Sequence, residues 1–169
     1  MGFILLGFAV GGYGIIGSML YILTHSLAKS GLFYGVGIIE DATGKDDLKS
    51  LCCMHEVSPA LGVSMALLVG SIVGFFPMIG FFSKLWVVYG AVERSLYFGI
   101  GAIIAAVFTL LYASRFYHEL FFSKPDVGMP KHKRLSYTSI AVVLVLALVS
   151  LLLGIFFYQP VQYLIGSGG

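Results

Sequence analysis

The chain has 169 residues, 59% of them hydrophobic and only 11% charged, with a formal net charge of +2. Soluble domains carry roughly a quarter charged residues, so the composition excludes a water-soluble globular protein and predicts an all-α integral membrane protein. The charge is too small and scattered for a nucleic-acid partner, and the two cysteines, Cys52 and Cys53, are adjacent, which argues against a disulfide scaffold.

Residues 2–10 (GFILLGFAV) are apolar but too short to span a bilayer core of about 30 Å and read as the end of a membrane helix. Neither a basic n-region with a cleavage site nor a myristoylation pattern is visible, Leu6 standing where the latter needs Ser or Thr. Gly11 and Gly12 turn the chain. Gly12, Gly14 and Gly17 spell G-x-G-x-x-G, but without a preceding strand this is no dinucleotide loop. Such glycines let membrane helices approach closely. Residues 13–39 are long enough, at about 1.5 Å per residue, to cross as one helix.

The polar stretch EDATGKDDLKSLCCMHEV follows. Cys52, Cys53 and His55 do not complete a metal site, which usually takes four ligands. Residues 58–92 are too long for one straight span and carry Pro77 and Gly80. They read as one broken helix, with halves at 58–76 and 81–92. Residues 93–95 make a turn, 96–122 span again, 123–135 form a polar loop with two prolines, and 136–158 make the last span. That last span has no internal charge and reads as a lipid-facing or peripheral packing helix. Residues 159–169 read as a short frayed tail, leaving 1–158 as a single membrane domain of about four full spans and a short first helix. Counting crossings puts the loops at 40–57 and 123–135 on one side. They hold Lys45, Lys49, Lys124, Lys131, Lys133 and Arg134, against Arg94 on the other. The positive-inside rule makes both loops cytoplasmic and the C-terminus external.

The candidate chemistry lies within the spans. His25 and Lys29 are four residues apart, hence on one helix face, with Tyr21 and Ser18 one and two turns earlier. Lys84 follows the break, roughly 12 Å from the helix end near Val92. A charge at mid-membrane costs a few kcal/mol or more, and such residues usually belong to an ion path. Broken helices recur at transporter ion sites. We expect a proton relay of Lys29, His25 and Lys84, with Tyr21 and Ser18 as helpers or as helix–helix hydrogen bonds. Arg115, His118 and Glu119 read as an interfacial anchor or surface ion pair, and Trp86, Tyr89 and Phe156 as packing and interfacial aromatics. No cofactor is expected: there are no cluster ligands, no nucleotide loop and no quinone, haem or flavin site.

THSLAKSGLFYGVGII, TGKDDLKSL, and GFFPMIGFFSKLWVVYGA with Pro59 before it, together with LLYASR in the fourth span, resemble the antiporter-like subunits. These occur in respiratory complex I, in membrane-bound hydrogenases and in Mrp-type sodium/proton antiporters. The similar patterns are H-x-x-x-K-x-x-L-F, T-G-x-x-D-[LI]-x-x-L and G-x-P-P-x-x-G-F-x-x-K. The resemblance implies that Lys29 is the family's mid-membrane lysine, that Lys84 is the broken-helix lysine, and that the chain matches the second of two inverted five-helix repeats and the helix after it. Phe76-Pro77 replaces Pro-Pro, and Cys52 and Cys53 replace glycines.

These readings lead to the expectation of a proton- or sodium-linked half-channel in a truncated or split antiporter-like subunit, itself without redox chemistry. Its partners would be other membrane subunits, including one with the missing first half-channel. Two alternatives stay open: a structural subunit that packs against neighbours without carrying ions, and a small stand-alone channel.

Overall fold

The computed structural model describes residues 1–43, 58–122 and 137–166. The polar segments between these ranges, with Cys52, Cys53, His55 and all six basic residues counted above, lie outside the described residues. Those described form six helices and no strand: α1 (Gly2–Val10), α2 (Tyr13–Thr43), α3 (Pro59–Val73), α4 (Ile79–Arg94), α5 (Leu96–Phe122) and α6 (Tyr137–Gly166). Parts of α2, α5 and α6 are each long and apolar enough to cross a membrane. α3, with 15 residues, is about 22 Å long, so it needs α4 to complete a crossing.

α2 is the central helix, packing on α1, α3, α4 and α6. Gly11 and Gly12, at φ 77° and 49°, make the left-handed turn into it. Its inward stripe recurs every three or four residues: Gly14, Gly17, Tyr21, Thr24, Ala28, Gly31 and Gly35 are all buried. Missing side chains explain the close approach. A Cβ on Gly17 would press on the Ser83 carbonyl and the Val87 nitrogen of α4, and one on Gly14 on the backbone of Gly7 in α1. Without a hydrophobic drive between helices in lipid, such contact is what holds them.

Two apolar clusters flank the middle of the bundle. One joins α2 to α3 and α6 through Ala28, Ile38, Leu61, Met65, Leu68 and Val143. The other joins α1, α2, α4 and α5 through Phe3, Tyr21, Val87, Ala91 and Ala102. Thr24, His25, Ser71, Ser83, Lys84 and Ser150 are buried polar side chains of the same bundle.

The break falls earlier than the sequence pattern suggests. α3 starts at the Ser58 cap, whose hydroxyl accepts from the Leu61 N–H at 3.4 Å, with Pro59 in the first turn. It ends at Val73 rather than near residue 76, because Gly74 adopts the left-handed conformation (φ 89°, ψ 47°) that closes a helix. α4 starts at Ile79 rather than at residue 81. Pro77 lies in the connecting turn, but Gly80 is helical. Its role is close approach: a Cβ there would overlap the Ser71 carbonyl.

α6 also departs from expectation. It is helical through Pro160 to Gly166, so residues 159–166 are not a frayed tail. Proline removes one backbone donor, which membrane helices tolerate, and the apolar sequence continues past it. Most of α6 faces outward, as expected of a lipid-facing packing helix, and one stripe, Val143, Ala147, Ser150 and Gly154, is buried against α2, α3 and α4. On α5, Arg115 Nε donates to Glu119 Oε1 at 3.0 Å in an exposed i,i+4 pair, and Tyr13 stacks on Trp86 at 5.2 Å.

Candidate functional site

The end of α3 leaves carbonyls without helical partners, and at membrane depth each unmet group costs several kcal/mol. Gly70 O accepts the N–H groups of Gly74 and Phe75, both at 2.9 Å. Ile72 O receives the Tyr21 hydroxyl at 3.5 Å. Val73 O receives the Lys84 ammonium at 2.9 Å. Lys84 from α4 thus caps a half-helix that ends inside the bundle, with the Tyr21 hydroxyl at the long limit of a hydrogen bond. The negative end of the α3 dipole faces the ammonium, the favourable sign.

Lys84 reaches this carbonyl because α4 restarts beside the end of α3, and the bare Gly74 leaves room for its stem: a Cβ at residue 74 would lie 3.2 Å from Lys84 Cδ. Its side chain is nearly buried, at 6% exposure. The ammonium sits over two rings, 5.1 Å from the centroid of Phe3 and 5.8 Å from that of Tyr21. The Tyr21 ring then lies 4.8 Å from the His25 ring, tilted by 30°. His25 is 9% exposed. Its Nε2 is 3.5 Å from the Met1 nitrogen, and its buried Nδ1 has no hydrogen-bond partner among the described residues.

Lys29 stands apart from this cluster. It lies 16 residues after Tyr13 and 14 before Thr43, one residue past the midpoint of α2, yet it is exposed. It shares with His25 the walls of two cavities. One, of about 550 Å³, is lined by Phe3, Tyr21, His25, Lys29, Ile72 and Thr109 among others. The second, of about 560 Å³, adds Ser26 and Ser30. The rings beneath the Lys84 ammonium also line the first cavity. Lys84, Tyr21 and His25 are thus in contact in turn, and Lys29 joins them only as a neighbour of His25 on the cavity walls. Ser18 is placed differently: its hydroxyl donates to Ile4 O of α1 at 2.8 Å, tying two helices together.

Three contributors have no charge to mark them. Val73 acts through its carbonyl and Phe3 through its ring. Gly74 has a readable signal, a glycine after an apolar helical run, but Pro77 overshadows it. Among the described residues, no group of three His, Cys, Asp or Glu could hold a metal.

The family model described as NADH:quinone oxidoreductase/Mrp antiporter, transmembrane, matches residues 1–109. Among curated relatives, the NADH-quinone oxidoreductase subunit N 2 of Acidobacterium capsulatum is 33% identical over 71% of this chain and 25% of its own length. The subunit N of Nitrosomonas europaea is 31% identical over 77% and 28%. An antiporter subunit of Staphylococcus haemolyticus is 26% identical over 88% and 31%. The chain thus spans about a quarter to a third of the length of these relatives. A chain of the solved Mrp complex from Dietzia sp. DQ12-45-1b matches 95% of this chain and 38% of its own, with a TM-score of 0.82 at 22% identity, which establishes a shared fold. A family match over residues 1–109 together with a common fold places this multi-pass membrane chain in the NADH:quinone oxidoreductase/Mrp antiporter transmembrane family.

Proposed function

We propose that this chain supplies a half-channel for protons, or for sodium-linked proton movement, within a membrane complex of the NADH-quinone oxidoreductase or Mrp type, alongside other membrane subunits. The observation that carries the reading is the Lys84 ammonium, nearly buried and held by one carbonyl at a helix break, with Tyr21 and His25 beside it. A lysine in that place can hold a proton against Val73 O and give it up when a neighbouring cation arrives, since like charges at short range disfavour the charged form. His25 can relay through either ring nitrogen, and its unpartnered Nδ1 has capacity for a further bond. Lys29 stands at the cavity wall, where a proton would enter or leave by water. The test is Lys84→Ala in the native complex. Ion translocation in membrane vesicles should be abolished at normal complex yield, and unchanged translocation would sink the proposal.

One observation favours a second reading. Lys84 satisfies the end of α3, which is work for a purely structural subunit too. Lys84→Gln separates the two, because glutamine keeps an N–H donor but carries no exchangeable charge. The half-channel needs the charge, so Lys84→Gln should be as inactive as Lys84→Ala. A structural subunit would work normally with glutamine.

A further inference from the structure

α6 has no charged side chain between Tyr137 and Gly166, yet it holds the break from both sides. Ser150, 1% exposed, shares a hydrogen bond of 2.7 Å with the fully buried Ser71 in the last turn of α3. One turn further along α6, Gly154 meets the start of α4: a Cβ there would overlap the Pro77 carbonyl and lie 2.6 Å from the Ile79 nitrogen. These two anchor points straddle the junction of Val73 and Gly74, whose carbonyl accepts the Lys84 ammonium. Lipid provides no hydrophobic force to press α6 onto the break, so the serine pair and the bare glycine set how closely it sits.

We propose that Ser150 and Gly154 are positioning residues for Lys84: α6 fixes the end of α3 and the start of α4, and thereby the place of the Val73 carbonyl that receives the ammonium. This rests on Lys84 as an ion carrier. Ser150 acts through the Ser71 hydroxyl and Gly154 through the backbone before α4.

The experiment compares Ser150→Ala, Ser71→Ala, the double variant and Ser150→Thr in the intact membrane complex, with Lys84→Ala as reference. Ser150→Ala and Ser71→Ala should each lower ion translocation by roughly threefold to tenfold, the scale of one buried hydrogen bond, at normal complex yield. The double variant should be no worse than either single one, since both remove the same bond. Ser150→Thr, which keeps the hydroxyl, should restore most of the rate. Parent rates in both alanine variants with an inactive Lys84→Ala would overturn the positioning role and leave the half-channel standing. Additive losses, or no recovery with threonine in a fully assembled complex, would also overturn it. A fully active Lys84→Ala would remove the half-channel and this inference together. Should Ser150→Ala fail to assemble, Ser71→Ala decides alone from the α3 side: a lowered rate at normal yield supports the proposal and a parent rate overturns it.

Discussion

Lys84 has three N–H donors, and one of them is engaged by Val73 O. What faces the rest of the ammonium is aromatic, with Phe3 at 5.1 Å and Tyr21 at 5.8 Å. Cation–π contacts of this kind contribute about 0.5–2 kcal/mol, comparable to the hydrogen bond itself. The Tyr21 hydroxyl, by contrast, reaches Ile72 O only at 3.5 Å, the long limit for such a bond. The ring therefore matters more than the phenol. Tyr21→Phe should leave translocation within about twofold of the parent, whereas Tyr21→Leu should lower it roughly tenfold by removing the ring from both Lys84 and His25. Vesicle translocation assays on the two variants check this directly. Equal losses would mean that the hydroxyl, not the ring, serves the site.

At the scale of the element, the break depends on Gly74, and a glycine elsewhere serves as its control. Gly74 needs its left-handed φ of 89° and has Gly80 O and Lys84 Cδ close by, each 3.2 Å from where a Cβ would stand. A side chain there costs about 1–2 kcal/mol in backbone strain alone and displaces the lysine stem. Gly101, on the helix α5, has nothing within 4 Å of an added Cβ, and alanine is the better helix former by about 1 kcal/mol. Gly74→Ala should lower the thermal midpoint of the purified complex and its translocation rate, while Gly101→Ala should hold or raise the midpoint with the rate unchanged. A harmless Gly74→Ala would show that the break tolerates another cap. Much of this element was legible: Ser58-Pro59 marks its start, Pro77 marks an interruption, and a lysine within an apolar run marks a buried cation. Its details were not. Pro77 drew attention away from Gly74, Gly80 looks the same in a sequence whether it bends a chain or admits a carbonyl, and nothing in Val73 or Phe3 announces an acceptor or a cation platform. The outward-facing character of α6 was legible, but its inward stripe was not: an uncharged run does not mark Gly154, nor tell Ser150 from any other serine, until its partner on α3 is known.

For the whole molecule, the helix contacts fix which ends lie together. Gly35 of α2 meets Met65 in the first half of α3, while Gly14 meets Gly90 near the end of α4. Tyr117, late in α5, donates to Gly62 O at 3.4 Å, near the start of α3. Gly31 of α2 packs on Leu146 of α6, and Gly154 on the turn before α4, so α6 runs alongside the α3–α4 pair. The C-terminal ends of α2 and α5 and the N-terminal ends of α3 and α6 therefore share one side of the bundle, and Arg94 is at the other. The chain segments joining those ends carry Lys45, Lys49, Lys124, Lys131, Lys133 and Arg134. We propose that this basic side is cytoplasmic, as the bias of lysine and arginine toward the cytoplasm requires. With Cys52 and Cys53 first replaced by serine, Lys131→Cys in intact cells should resist an impermeant maleimide added outside and react once the membrane is opened, whereas Ser95→Cys should react at once. The reverse pattern would invert the chain. Under the proposed half-channel it would also invert which aqueous phase Lys84 and Lys29 would serve, because both are fixed to the same bundle and turn over with it.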